Sequence, residues 1–212
     1  MELMDEAVLV HQQWELNRLA IESQPVAIHS AAVARGSRAA LLMGASHSGK
    51  TTLAGWLAVH HEMEYLTDEV AVIDDEGRVI PFPRPLGVRS DSPLARLATE
   101  RAPVDSSGHV AYERLVPAGV LGARVGTRPT PVGLLVFPTY RSLAESSVQQ
   151  LDHADAFERI AALTPGLGTH GRIVFDRLCR MVEDARALAV TYGDVGDAAR
   201  VVSDALDRSV DT

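Results

Sequence analysis

The sequence has a single cysteine, Cys179, no apolar run long enough to cross a membrane, and fewer basic than acidic residues. One cysteine excludes an internal disulfide and suits a reducing compartment. A membrane span needs roughly 18 apolar residues in a row, and the N-terminus lacks the basic and apolar stretches of a secretion signal. The net charge of −8 argues against nucleic acid or an anionic membrane as the main partner, because both select basic surfaces. We therefore expect a cytoplasmic protein.

The sequence does contain a glycine-bordered segment, 44–51, that fits the pattern G-x-x-x-x-G-K-[ST] of phosphate-binding loops. Apolar residues 39–43 precede it as a buried strand would, and residues 51–58 follow with the apolar spacing of a helix. In such a unit the loop N–H groups and the positive helix end form an anion nest. The alternative is a glycine-rich turn with a solvated lysine. The predicted nucleotide-binding residues are Gly44, Ala45, Ser46, His47, Ser48, Gly49, Lys50, Thr51 and Thr52.

Two loop residues and a downstream acidic pair have predicted roles in phosphoryl transfer. Lys50 can neutralise the β- and γ-phosphates of a nucleotide, and the Thr51 hydroxyl can reach a magnesium ion. Asp68 comes 18 residues after Lys50, is followed by Glu69 and starts a hairpin, so one helix and one turn bring it back towards the loop. Phosphoryl transfer needs such a carboxylate, to hold the metal or to accept the proton of the attacking hydroxyl. The alternative is an exposed acidic turn.

Three further candidates lie on either side of these segments. His29 belongs to residues 26–33, a predicted strand that a turn at 35–37 pairs with the strand of the loop. From the residues alone, such a histidine is more often a hydrogen-bonded core residue than a catalyst. Arg84 and Arg89, in a stiff proline-rich segment, can meet phosphate or an acidic substrate, although solvated loop arginines are commoner.

The remaining segments carry weaker signals. Residues 1–25 are predicted to form an N-terminal extension that packs on the core, and residues 26–212 to form one domain. Residues 90–131 are irregular and are expected to be loops, either a lid over a substrate or a disordered segment. The other predicted elements are a buried strand at 132–137 ended by Pro138, and helices at 155–163, 171–190 and 195–206.

The order of the segments I-H-S (28–30), L-L-M-G-A-S-H-S-G-K-T-T-L (41–53) and L-T-D-E-V-A-V-I-D (66–74) resembles the HPr(Ser) kinase group. It is more similar still to the HPr-kinase-related proteins associated with peptide-modifying gene sets, including kinases of lasso-peptide precursors. Residues 133–140 agree loosely with that group's apolar strand ending in Phe-Pro, and residues 188–194 with its closing strand and turn. The resemblance implies a PEP-carboxykinase-like (HPr kinase-like) α/β phosphate-loop fold with a mixed sheet flanked by helices.

The same resemblance implies roles for individual residues. Asp68 matches the first of the family's paired aspartates, close to the metal and the attacking hydroxyl. His29 matches a histidine near the transferred phosphoryl group and so joins Asp68 and Lys50 as a catalytic candidate. Thr51, Asp68 and Glu69 would hold Mg²⁺. Glu69 stands where the family usually has a second aspartate, and its carboxylate, one methylene longer, can still bind magnesium.

Departures from the family bear on the substrate. The glycine-rich segment with which HPr kinases dock HPr is not recognisable, nor is their separate N-terminal domain, so HPr is not the expected partner. PEP carboxykinase activity is not expected either, because the chain is far shorter and shows no counterpart to that enzyme's additional lysine and arginine sites.

These observations predict an ATP- and Mg²⁺-dependent kinase that phosphorylates a hydroxyl, of a peptide serine or of a small serine-like metabolite. The alternative, motivated by Glu69 and the short chain, is an ATP-binding regulator or pseudokinase that transfers nothing. A small-molecule kinase of the ordinary phosphate-loop fold would need a downstream apolar strand ending in Asp, whereas the predicted strand ends in Pro138. Assembly into a homo-oligomer is expected by family analogy alone.

Overall fold

The α/β class expected from the sequence is confirmed for residues 26–101, 113–164 and 167–209, which the structure, a computed structural model, describes. The predicted N-terminal extension, residues 1–25, lies outside these ranges. The strands are β1 (Val26–Ile28), β2 (Ser30–Arg35), β3 (Arg38–Met43), β4 (Glu64–Thr67), β5 (Ala71–Ile73), β6 (Arg78–Ile80), β7 (Leu86–Arg89), β8 (Glu113–Val116), β9 (Arg124–Val125), β10 (Thr130–Tyr140), β11 (Ser147–Gln150) and β12 (Arg186–Tyr192). The helices are α1 (Lys50–His60), α2 (Ala95–Arg101), α3 (His153–Ala161), α4 (Leu167–Asp184) and α5 (Val195–Arg208). Within the described ranges, none of these helices has the length and apolarity needed to cross a membrane.

Strand β3 shows why its residues form one continuous apolar run. Alternate side chains point to opposite faces of a sheet. Ala39, Leu41 and Met43 belong to the core on one face, which α3 and α4 cover. Ala40 and Leu42 belong to the core on the other face, together with residues of α1 and α5. A strand covered on both faces has no solvent side, so it needs no polar alternation.

One mixed sheet carries the fold, and β10 lies at its centre. The strand order is β1-β5-β6-β10-β3-β2-β4-β9, and β12, which in turn pairs with β11, also pairs with β10. Strand β10 runs parallel to both β3 and β12, whereas β2 runs antiparallel to β3 and to β4. The carboxyl ends of β3, β10 and β12 therefore meet at the same edge of the sheet, where the glycine-bordered loop begins.

The segment after the proline-rich stretch is more regular than the sequence indicated. Strands β7 and β8 form a separate two-stranded antiparallel sheet, and α2 follows β7. A third apolar cluster, which includes Leu86, Val88 and Leu94, packs beneath them against α1. Gly55 permits the close approach, because a Cβ there would lie 2.5 Å from Leu94 Cδ1. The expectation of loops throughout 90–131 is therefore wrong for α2, β8 and β9, while residues 102–112 lie outside the described ranges.

Three other element boundaries differ from the predictions. The predicted strand 26–33 is interrupted at His29 between β1 and β2, although its hairpin with β3 is confirmed. Pro138 does not end β10, because it lies beyond Val136, the last residue paired with β3, where a missing N–H costs least. The predicted helix 171–190 ends at Asp184. Residues 186–192 form β12 instead, because this apolar stretch pairs with β10 in the sheet. The closing strand expected within residues 188–194 is present, since β12 covers residues 186–192.

The start of α5 offers a test of local stability. The Asp194 carboxylate accepts a hydrogen bond from the Asp197 N–H at 3.0 Å and so satisfies one of the free donors of the first turn. Replacing such a cap with alanine costs about 1 kcal/mol. We expect Asp194→Ala to lower the free energy of unfolding in urea by about that amount, whereas Asp194→Ser, which keeps an acceptor, should lose little. Equal stability of the alanine variant and the wild type would contradict the capping role.

Candidate functional site

The glycine-bordered loop, residues 44–49, joins β3 to α1 through left-handed backbone. Two of its residues have positive φ, His47 at 66° and Gly49 at 94°, and the N–H of Leu53 already bonds the carbonyl oxygen of Gly49 at 2.9 Å. Helix α1 has no side-chain cap and no acidic residue in its first turn. Its leading N–H groups are therefore not capped by an acidic side chain, and successive N–H groups in such a turn favour an anion. The predicted strand, loop and helix are confirmed as secondary structure.

Two tyrosines from the far end of the chain pack against this loop. The Tyr192 hydroxyl donates to the carbonyl oxygen of Gly49 at 3.2 Å, and the Tyr140 N–H donates to the carbonyl oxygen of Ser48 at 3.1 Å. The two rings lie 5.6 Å apart, centre to centre. A Cβ on Gly49 would lie 2.0 Å from the Tyr192 oxygen, so glycine is required for contact as well as for φ. Burial raises the pKa of Tyr192, so its hydroxyl remains a donor at neutral pH.

Lys50 turns its ammonium group into the loop. The side chain is 5% exposed, and Nζ donates to the carbonyl oxygens of Gly44 at 2.9 Å and of Ala45 at 3.1 Å. Burial lowers the pKa of Lys50, and the nearby charges of Glu69 and Asp68 act in the opposite direction. The positive charge therefore lies inside the loop, where two loop carbonyl oxygens bind it.

Asp68 reaches the loop from β4. Its side chain is 1% exposed, and its Oδ1 accepts a hydrogen bond from Thr51 Oγ1 at 3.2 Å. Burial raises the pKa of Asp68 to about 6, and the Thr51 hydrogen bond offsets part of this effect. The alternative of an exposed acidic turn is wrong for Asp68, because the turn that follows β4 directs this side chain inward.

Glu69 is more exposed than Asp68 and contacts His29. The Glu69 side chain is 52% exposed, and its φ is 70°. His29 Nδ1 lies 3.0 Å from the carbonyl oxygen of Glu69 and 3.6 Å from its Oε2. Since a carbonyl oxygen only accepts, this hydrogen bond requires a proton on Nδ1, and in the neutral ring Nε2 is then left as an acceptor. His29 is thus tied to the acidic turn through one ring nitrogen.

The tip of the loop is exposed and meets the β7 segment. Ala45, Ser46 and His47 are exposed to solvent, and the Arg89 guanidinium forms a short contact with His47 Nδ1 and an ion pair with Asp91 at 3.0 Å. Thr52 Oγ1 lies 3.3 Å from Ser92 Oγ. The Arg84 N–H donates to the carbonyl oxygen of Phe82 at 2.7 Å, and its own carbonyl oxygen accepts the Tyr65 hydroxyl. Arg89 therefore contacts the loop directly, at His47.

The structure brings together most of the residues that the sequence singled out. A series of contacts joins His29 to Glu69, and Asp68, the neighbour of Glu69, to Thr51, while Lys50 lies next to Thr51 in the chain. The sequence did not point to Tyr140 and Tyr192, which lie about ninety residues or more after Lys50 in the chain. No local signal could have indicated them, because only the parallel pairing of β3, β10 and β12 places them at the loop.

The residues of the loop fit a phosphate group and a magnesium ion. Within the described part of the chain, two buried hydroxyls have no hydrogen-bond partner. One belongs to Ser48 in the loop, and the other belongs to Ser30, which pairs with Met43, the residue just before the loop. No three His, Cys, Asp or Glu side chains in that same part are grouped to hold a metal by themselves. Thr51 and Asp68 supply a hydroxyl and a carboxylate, which suits Mg²⁺, since this ion takes one or two carboxylates and completes its shell with phosphate and water.

The contact between Gly49 and Tyr192 can be isolated by comparison with a second glycine. Gly77, in the turn between β5 and β6, has a φ of 75°, but a Cβ added there would have no atom within 4 Å. Alanine costs about 1–2 kcal/mol in left-handed backbone at either position, so Gly77→Ala measures this strain alone. We expect Gly49→Ala to lower the free energy of unfolding more than Gly77→Ala does. Adding Tyr192→Phe to Gly49→Ala should restore part of that difference, because it removes the oxygen that the new Cβ would meet. Equal losses in the two alanine variants would show that the tyrosine contact is unimportant.

Comparison of the sequence with models of known protein families gives no match, and a search of curated proteins finds no significant relative.

Proposed function

We propose that the protein is a kinase that transfers the terminal phosphoryl group of ATP to a hydroxyl. The observation that carries the proposal is the partly buried hydrogen bond of 3.2 Å between Thr51 Oγ1 and the buried Asp68 Oδ1. It joins the first turn of an anion-binding loop to a carboxylate from a separate strand. Phosphoryl transfer requires these two components side by side, because one binds the phosphates and the other handles the metal or the proton.

Each residue then has a part in the transfer. The Lys50 ammonium and the loop N–H groups neutralise charge on the transferred group. The acceptor hydroxyl attacks the terminal phosphorus, the bond to the leaving ADP oxygen breaks, and the hydroxyl proton passes to the Asp68 carboxylate. Because the pKa of Asp68 is raised to about 6, the group is ionised at neutral pH and still a better base than an exposed aspartate. His29, which bonds the carbonyl oxygen of Glu69 through Nδ1, would contact the transferred group through Nε2.

The metal has a defined place in this proposal. Thr51 and Asp68 would hold Mg²⁺, with Glu69 as a further candidate, and the ion would neutralise charge on the phosphates. Asp68 is then a metal ligand, the base, or both, which are the roles that the sequence left open.

The mixed sheet is what supports assignment to a PEP-carboxykinase-like fold. Strand β2 runs antiparallel to β3, and the carboxylate follows β4 on that side of the loop. In the ordinary phosphate-loop fold the carboxylate would end a downstream apolar strand, whereas β10 ends in Thr139 and Tyr140. We further propose, by family resemblance alone, a serine of a peptide or a small serine-like metabolite as acceptor, and self-association of the chain.

The transfer test uses phosphorus NMR with Mg²⁺ and ATP, offering free serine, candidate peptides and a fractionated host extract in turn. We expect a phosphomonoester signal from the wild type. We expect none from Lys50→Ala, which loses the charge within the loop, or from Asp68→Asn, which keeps the shape and the acceptor for Thr51 but cannot take up a proton. Transfer at near wild-type rate in either variant would contradict these roles.

Binding is measured separately, so that a kinase can be told from a regulator. Lys50 is the only lysine in the sequence. An acyl phosphate derivative of ATP, which acylates amines near its phosphates, should therefore modify Lys50 and be displaced by ATP, and peptide mapping locates the modification. Labelling of Lys50 without any phosphoproduct would favour the regulator or pseudokinase. Absence of both labelling and ATP binding would rule out both hypotheses.

The raised pKa of Asp68 also predicts how stability depends on pH. Between about pH 4 and pH 6 the folded protein holds a proton on Asp68 that the unfolded chain has released, so the free energy of unfolding falls as pH rises through this range. A shift of about two pKa units corresponds to on the order of 3 kcal/mol. Asp68→Asn should therefore be more stable than the wild type at pH 7, and the advantage should shrink towards pH 4.

Urea unfolding at several pH values, with EDTA and without nucleotide, measures this difference. Asp75→Asn serves as the control, because Asp75 is exposed in the turn between β5 and β6. A difference between Asp68→Asn and the wild type that stays constant with pH would show that burial does not perturb this carboxyl group.

A further inference from the structure

Tyr140 is an aromatic residue that its backbone anchors beside the loop and that is about half exposed. Its N–H bonds Ser48 of the loop at 3.1 Å, and the N–H of the next residue, Arg141, bonds the carbonyl oxygen of Tyr192 at 2.9 Å. The side chain is nevertheless 49% exposed, whereas Tyr192 is 1% exposed. Tyr192 alone reaches the loop through its hydroxyl, so the Tyr140 ring is not needed for that contact.

The position of Tyr140 relative to Asp68 gives the site a direction. Asp68 follows β4, which lies beyond β2 on one side of β3, whereas Tyr140 ends β10 on the other side. The strands that lead to the two residues are thus three strand spacings apart, about 14 Å across the sheet. Asp68 and Thr51 mark the end where the terminal phosphate would lie. An extended nucleotide that starts there and crosses the loop brings its nucleoside towards β10.

We infer that the exposed face of Tyr140 is the platform on which the base of the nucleotide stacks. The inference rests on the proposed function, since it assigns the nucleoside end of the same site. Aromatic side chains stack on nucleic acid bases irrespective of which base is present. The ring is already oriented by the tilted contact with Tyr192, with centres 5.6 Å apart, so binding orders little further. The platform gives the site affinity for nucleoside triphosphates over inorganic polyphosphate.

Isothermal titration with ATP and with inorganic tripolyphosphate, both as magnesium complexes, separates the base from the phosphates. Tyr140→Ala should weaken ATP binding by between about fivefold and a hundredfold, the usual range for a stacked base, and leave tripolyphosphate binding unchanged. Tyr140→Phe should bind ATP as the wild type does. Tyr140→Leu keeps apolar bulk and should lose affinity for ATP as Tyr140→Ala does. If Tyr140→Ala does not fold, Tyr140→Leu is measured in its place.

Phe175→Ala is the matched control. Phe175 is 47% exposed, almost as much as Tyr140, but it lies on α4 and packs on Phe157. Its replacement should change neither affinity.

The outcomes distinguish this inference from the proposed function. If ATP and tripolyphosphate weaken together in Tyr140→Ala and Tyr140→Leu, or if neither weakens, the platform is wrong while the phosphate site stands. If the wild type binds neither compound, the proposed function fails instead. Selective loss of ATP affinity in Tyr140→Ala and Tyr140→Leu, with wild-type affinity in Tyr140→Phe, supports the platform.

Discussion

The burial of the Asp68 carboxyl group is the constraint on which the site depends. An ionised carboxylate in the interior loses its hydration, and its hydrogen bond with Thr51 and the charge of Lys50 offset only part of that loss, since the pKa of Asp68 remains raised. The backbone also positions the carboxyl group, because β4 is paired to β2 and bridged to Phe82. A group that costs stability but is kept by its surroundings is typical of a functional site.

The sheet places two different kinds of side chain on the two sides of the loop. The side towards β2 and β4 supplies the charged and hydrogen-bonding groups, His29, Asp68 and Glu69. The side towards β10 and β12 supplies Tyr140 and Tyr192. Strand β3 lies between them and ends at Met43, so both sides reach the loop from neighbouring strand ends. This separation puts charged side chains on one side of a short loop and aromatic rings on the other.

The same division explains what the sequence could predict. The loop, Lys50, Thr51 and Asp68 lie within one stretch of chain whose strand, helix and hairpin patterns are local, and their arrangement was predictable. Tyr140 and Tyr192 lie at the loop because β10 and β12 pair in parallel with their neighbours. The sequence around each tyrosine does not indicate this pairing. Residues 186–190 were predicted to continue the helix 171–190 because Met181, Ala185 and Leu188 keep helical spacing, and a short apolar run does not distinguish a helix from a buried strand. The prediction that Pro138 ends the strand was wrong because a strand tolerates proline where only one neighbouring strand pairs with it.

The acidic turn places its two carboxylates in different surroundings. Glu69 adopts a φ of 70°, which costs a residue other than glycine about 1 kcal/mol or more, and the turn is held by the hydrogen bond from His29. As a result Asp68 is buried against Thr51, while the Glu69 side chain is half exposed beside His29. The extra methylene of Glu69 therefore changes its reach towards His29 and solvent. The contact between Asp68 and Thr51, which carries the proposed chemistry, does not involve it.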